Sequence, residues 1–174
     1  HCVKKADGTP RMTLQERLDH MRGLSAQVSA TGIKIVHNKA GTLLSAAMLD
    51  DPCVVIDHKA FWTLARNLEE ARYLTTVLNS ASVLERIVPM QPRGWRDPRD
   101  FDNLVWELPI PEYDRREQLH RDLAEAAVQA ERVAAIVLLK ERVHFTAHRR
   151  AIREALMADG IAAQIDALVT RLLS

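Results

Sequence analysis

Apolar and polar positions along this chain fall into blocks of two different periods. Thr13-Leu14-Gln15-Glu16 has the form of a capping box, and Leu14, Leu18, Met21 and Leu24 follow at helical spacing, which predicts a short helix ending near Gln27. From Thr31 the pattern changes. Ile33-Lys34-Ile35-Val36-His37 is rich in β-branched residues and partly alternates, as a strand does. Asn38-Lys39-Ala40-Gly41-Thr42 reads as a turn in which Gly41 is free to take positive φ. Leu43 to Leu49 and Cys53 to Asp57 read as further strands, separated by Asp50-Asp51-Pro52, and Phe61 to Leu64 as a fourth. Loops this short favour antiparallel or mixed pairing over helical crossovers.

Asn67-Leu68-Glu69-Glu70 then caps a helix whose face carries Leu68, Ala71, Leu74, Thr75 and Leu78. Asn79-Ser80 interrupts it, and a second helical stretch covers Ser82 to Val88. Pro89 to Asp102 holds three prolines and a glycine, which oppose both helix and central strand, so a long loop is expected. Leu104 to Leu108 reads as a last strand, closed by Pro109-Ile110-Pro111. Everything beyond is helical. Asp114-Arg115-Arg116-Glu117 resembles another capping box, and Leu119, Leu123, Ala126, Ala127, Ala130, Val133, Ala134 and Val137 keep one stripe. A break near Thr146, a helix to Ala158, a stop at Gly160 and a last helix from Ile161 to Leu172 complete the pattern. The expectation is an α+β fold: a small mixed or antiparallel sheet flanked by helices, then a C-terminal helical segment. The divisions are an arm at 1–11, an α+β domain at 12–113 and helices at 114–174.

Composition narrows this picture only slightly. Apolar residues make up 47% and charged residues 27% of 174, ordinary for a globular domain, and no apolar run approaches the roughly 18 residues of a membrane helix. The first residues, His1-Cys2-Val3-Lys4-Lys5, lack Met and the apolar core of a signal peptide, so they read as the cut edge of a longer polypeptide or as a remnant of cloning. Cys2 and Cys53 make no disulfide framework, and reduced thiols in a cytoplasmic protein are the expectation. A net charge of +1 hides any local basic patch.

Catalytic motifs are missing. The six glycines are scattered, so no phosphate-cradling loop is formed; no two prolines adjoin, and neither a Gly-x-Ser-x-Gly elbow nor a Cys-x-x-Cys occurs. His144 and His148 share a helical spacing, but Phe145 stands where a zinc protease has its glutamate, and no third ligand is evident. His37, His58 and His120 have no evident partners.

Candidate contacts to nucleic acid are clearer. Gln91-Pro92-Arg93-Gly94-Trp95-Arg96-Asp97-Pro98-Arg99 interleaves Arg93, Arg96 and Arg99 with Trp95. Arginine can contact phosphate or read guanine, and tryptophan can stack or wedge. The plainer alternative is a solvated loop whose arginines pair with Asp97, Asp100 and Asp102. Lys34, His37, Asn38 and Lys39 form a second polar cluster, equally readable as a solvated hairpin tip. The run from Lys140 to Arg153 carries five basic residues against Glu141 alone, and suits either phosphate contacts or an outer helix face. Trp62, Trp106, Phe61 and Tyr73 sit in apolar patterns and read as core.

Several of these pieces occur in a telling order. Val36-His37-Asn38-Lys39-Ala40-Gly41-Thr42 precedes Ala46-Ala47 and Val55-Ile56-Asp57-His58-Lys59-Ala60-Phe61-Trp62. Glu70-Ala71-Arg72-Tyr73-Leu74, Val77-Leu78-Asn79-Ser80, Arg99-Asp100-Phe101-Asp102, Val105-Trp106-Glu107-Leu108-Pro109-Ile110-Pro111 and Glu117-Gln118-Leu119-His120 follow. In this succession, over roughly Met12 to Leu173, the chain resembles the C-terminal target-recognition region of large N-6 adenine DNA methyltransferases of restriction–modification systems, and type I specificity subunits share the plan. The resemblance implies a specificity module that binds double-stranded DNA beside its own N-terminal methyltransferase domain. S-adenosylmethionine belongs to that domain; the glycine-rich donor turn and the Asn/Asp-Pro-Pro-aromatic motif of catalysis are both missing here, so no cofactor and no catalysis are expected of this chain. Base-reading residues differ between members, so Lys34, His37, Asn38, Lys39, Arg93, Trp95, Arg96 and Arg99 follow from charge and loop position, and the family does not supply them. The alternative is a helical module docking a partner subunit of a restriction–modification or phage-defence complex, motivated by the apolar stripe of 119–137. No membrane partner is expected.

Overall fold

A computed structural model describes residues 12–91, 100–101, 103–139 and 141–174. The arm expected at 1–11 lies outside the described residues. The fold is α+β, as expected, with a three-stranded antiparallel sheet and flanking and C-terminal helices.

The sheet holds β1 (Ile33–Asn38), β2 (Ala46–Leu49) and β3 (Ala60–Ala65) in the order β2-β1-β3. Register sets His37 opposite Ala46 on one side and Phe61 on the other, and Ile35 opposite Met48 and Thr63. Side chains alternate between faces along a strand. Ile35, fully buried, therefore shares a face with His37, while Lys34 points the other way.

Two expected strands are not strands. Cys53 to Asp57 is irregular, because its backbone groups are satisfied by side chains instead of a ladder. The Gln27 amide bonds both the N–H and the carbonyl of Ile56, and Lys34 Nζ takes the carbonyls of Pro52 and Val54. Leu104 to Leu108 instead forms a short helix, α5 (Leu104–Glu107) below, in which Leu104 N–H bonds Phe101 O and Trp106 N–H bonds Asn103 O. Its Val105 is fully buried and Trp106 is turned outward. The β2 strand also starts three residues later than the apolar run, with Leu44 buried in the turn before it.

The N-terminal helix is shorter than its spacing predicts. The capping box at Thr13 and Glu16 forms, but α1 covers only Leu14–Leu18. Met21 and Arg22 take positive φ in the 3-10 turn that follows, and Asp19 Oδ1 accepts from the N–H groups of Leu24 and Ser25 ahead of α2 (Ser25–Val28).

Asn67 caps α3 (Leu68–Asn79) and Ser80 caps α4 (Ala81–Ile87), each side-chain oxygen accepting from the N–H three residues on. After α5 come α6 (Gln118–Ala135), α7 (Phe145–Asp159) and α8 (Ile161–Leu172). Asp114 does not cap α6: its Oδ1 takes the N–H of Arg116, and the helix begins only at Gln118. The break after α6 spans 136–144, earlier than the one expected near Thr146. Gly160 closes α7 with φ of +90°, left-handed backbone that favours glycine.

One apolar cluster runs through all of this. It joins Ile35, Tyr73, Val77, Val83, Phe101 and Val105 to Leu123, Ile161, Val169 and Leu173, so it crosses the boundary expected at 113/114. Leu119, Leu123, Ala126 and Ala130 of the α6 stripe pack in or against that core, and α6 lies against α3 and α8. Arg72 and Glu131 tie α3 to α6 at 2.9 Å, and Asp166 of α8 accepts from the Ala81 N–H at 2.7 Å. Among the described residues, no helix is long and apolar enough to cross a membrane.

Candidate nucleic-acid interface at one end of the sheet

The turn from Asn38 to Ser45 is built around one side chain. Asn38 Nδ2 donates to the carbonyls of Ala40 (2.9 Å) and Leu43 (3.1 Å), and its Oδ1 accepts from Ser45 N–H (2.7 Å). Gly41 lies at φ +148°, where a Cβ would also sit 3.1 Å from Asn38 Nδ2, so both conformation and space call for glycine. Asn38 thus shapes the turn with both ends of its amide.

Lys39 follows at the tip. Its N–H bonds Lys59 O (3.0 Å), its carbonyl accepts from Phe101 N–H (2.7 Å), and Ala40 bridges to Asp100. Gln91 Nε2 donates to Asp100 O at 3.1 Å, so residues 91 and 100 are held close together. Gln91 and Asp100, which flank residues 92–99 in sequence, therefore lie at the Lys39 turn, although more than 50 residues of sequence separate them from it. Arg93, Trp95, Arg96 and Arg99 themselves lie outside the described residues. The Lys39 ammonium sits 5.3 Å from the centre of the Phe61 ring, a cation–π contact.

The other two residues of the polar cluster are interior. Lys34 is 1% exposed, its ammonium spent on two backbone carbonyls. His37 is equally buried, stacked on Phe61 (5.5 Å between centres) and edge-on to Trp106 (5.9 Å). In this conformation neither offers surface to a base or a phosphate. Sequence spacing could not reveal this, because what meets Lys34 is the distant segment holding Pro52 and Val54.

Burial pushes the His37 imidazole below its usual value, with a smaller opposing effect from the Asn38 carbonyl. Nδ1 faces Asn38 O at 3.2 Å and carries the proton, leaving Nε2 as a buried acceptor with no partner among the described residues. A lowered folded-state value means stability is full above about pH 6.5, the unfolded imidazole value, and is lost as pH falls through the folded one. The stability advantage of the wild type over His37→Phe should therefore shrink between pH 7.5 and pH 5 in urea titrations. A difference independent of pH would contradict the buried neutral ring.

Trp106, expected in the core, is 42% exposed beside this cluster, while Tyr73 is fully buried as expected. His58 and His120 do have partners: His58 lies 3.2 Å from Asp57, and His120 accepts from Asp114 N–H at 2.9 Å while lying on Tyr73.

No family model, no curated protein and no solved structure matches the chain.

The segments named for their order are tied to one another. Tyr73 O–H donates to Pro111 O (2.9 Å), and Arg66 reaches Tyr113 O (3.1 Å). Burial alone would raise the Glu70 carboxyl, but side-chain and backbone hydrogen bonds from Arg66, together with its charge, hold it below the usual range. Asn79 brackets Ala46, accepting from its N–H and donating to its carbonyl, as a neighbouring strand would. One further contact had no sequence signal: Arg149 on α7 donates to Ser45 Oγ, at the far side of the Asn38–Ser45 turn. Arg149, from the basic run of 140–153, thus reaches the same end of the sheet as Lys39.

Proposed function

We propose that this chain is a DNA target-recognition module serving an adenine-specific methyltransferase domain that supplies S-adenosylmethionine chemistry, and that it holds no catalytic site itself. The observation that carries the reading is the junction of Lys39 with Asp100 and Phe101. It brings Gln91 and Asp100, the residues that flank 92–99 in sequence, to the Lys39 turn at one end of the sheet. Cationic and planar side chains presented together on loops of a small rigid sheet suit double-stranded DNA: lysine and arginine meet phosphate, and the loop side chains reach base edges. Lys34 and His37 support this surface from within, and Asn38 sets the turn; Lys39, Arg93, Trp95, Arg96 and Arg99 are the proposed contacts.

Titrating a labelled duplex with the chain across a salt series tests the reading. Affinity should fall steeply with salt, and Arg93→Ala/Arg96→Ala should flatten the slope by about two units. No binding at low salt, by the chain or by a longer protein containing it, would refute the proposal.

A second reading, docking of a partner subunit of a restriction–modification or phage-defence complex through the C-terminal helices, is favoured by one observation. Ile136, Leu138 and Phe145, in and beside the α6–α7 connection, are 78%, 94% and 59% exposed. A monomer in sedimentation that gains no partner in the presence of the complex's other subunits would count against it.

A further inference from the structure

We propose that Arg149 and Arg153 on α7 form a binding site for the phosphodiester backbone of a nucleic acid, beside the β1–β2 turn. The proposal rests on the target-recognition reading for its ligand, and adds two named contacts on α7 to those of the Lys39 turn.

The two arginines are four residues apart, so they leave the same face of the helix one turn from each other. Arg149 is held in place by Ser45 Oγ, and the Ser45 N–H is itself held by Asn38 Oδ1. The helix face is thus fastened to the turn that presents Lys39. Neither arginine pairs with a carboxylate among the described residues: Glu154 lies 3.8 Å from Arg150, and Glu131 pairs with Arg72. Arg153 is partly buried and has no hydrogen bond or ion pair among the described residues. Burial first, and the neighbouring Arg149 charge second, both work against its charged form.

Arginine does not give up its proton in a protein, so this frustration is relieved by an anion. No acid lies between Glu141 and Glu154 to supply one. A phosphodiester carries one negative charge and two free oxygens that match the guanidinium fork. A polymer of them suits this place better than a lone anion, because Lys39 and Lys59 at the same end of the sheet offer further positive charges at other points along a strand.

The experiment is fluorescence anisotropy of a labelled duplex against the 174-residue chain, over a potassium chloride series. Wild type, Arg149→Gln/Arg153→Gln and Arg149→Lys/Arg153→Lys are compared, with thermal melting recorded for each. The glutamine variant should flatten the salt slope by about two units and bind roughly tenfold more weakly near physiological salt, while the lysine variant keeps the slope. If the glutamine variant binds like the wild type, the arginine site is refuted and the recognition reading stands. In a second arm, NMR follows the arginine Nε–H signals of the wild type as a thymidine dinucleotide is added. This arm decides the matter should the glutamine variant melt early: shifts at Arg149 and Arg153 support the site, and their absence refutes it. Shifts there with no duplex binding would leave the site standing and refute the recognition reading.

Discussion

Phe101→Ala will cost about 3–5 kcal/mol of folding stability, read as a lower denaturation midpoint at unchanged slope. The side chain is 1% exposed and belongs to the central cluster, so its removal forfeits buried area and leaves a cavity. Domains of this size have about 5–15 kcal/mol in total, and a loss on that scale leaves a marginal fold. The consequence reaches function because Phe101 is also the anchor whose N–H meets Lys39 O. With the ring gone, the end of the arginine–tryptophan loop loses its seat, and DNA affinity should drop even at temperatures where the variant stays folded. A loss below about 1 kcal/mol would mean that the ring is not packed as described.

The second large effect is at Tyr73. Its ring is fully buried against Tyr113 and His120, and its hydroxyl is the one that holds Pro111 O. Tyr73→Ala should cost about 3–5 kcal/mol. Tyr73→Phe separates the two contributions: it keeps the ring, leaves the carbonyl without its donor, and should cost about 1–2 kcal/mol. Urea titration of both variants checks the pair. Equal losses would show that the hydroxyl, and not the ring, carries the interaction. Burial also pushes the phenol well above its usual value, which keeps the donor protonated throughout.

Much of the fold was legible before any coordinates. The Thr13–Glu16 box, the cap at Asn67, the break at Asn79-Ser80, the turn at Gly41 and the stop at Gly160 all form where their residue types demand, because each is settled within a few residues. The β1 and β3 strands and the long helices follow from periodicity for the same reason. Cys53–Asp57 and Leu104–Leu108 misled because a short apolar run does not say where its backbone hydrogen bonds go. In the first, the amide of Gln27 and the ammonium of Lys34 take them; in the second, a helical turn starting from the Phe101 carbonyl does.

The candidate interface divides along the same line. Sequence by itself determined the ingredients: a glycine turn bearing Lys39, an arginine–tryptophan loop, a basic run over 140–153, and the missing catalytic motifs. It had no means of sorting Lys34 and His37 from Lys39, since burial depends on what covers a face and not on the residue's own type. Only the tertiary structure decided that Lys34 is spent inside, that Trp106 faces out, and that the Asp100–Phe101 junction and Arg149 meet at one turn. Those meetings join residues more than 50 positions apart, and 104 apart for Arg149 and Ser45. They are created by the packing of α3, α6 and α8 around one core, and no local pattern encodes them.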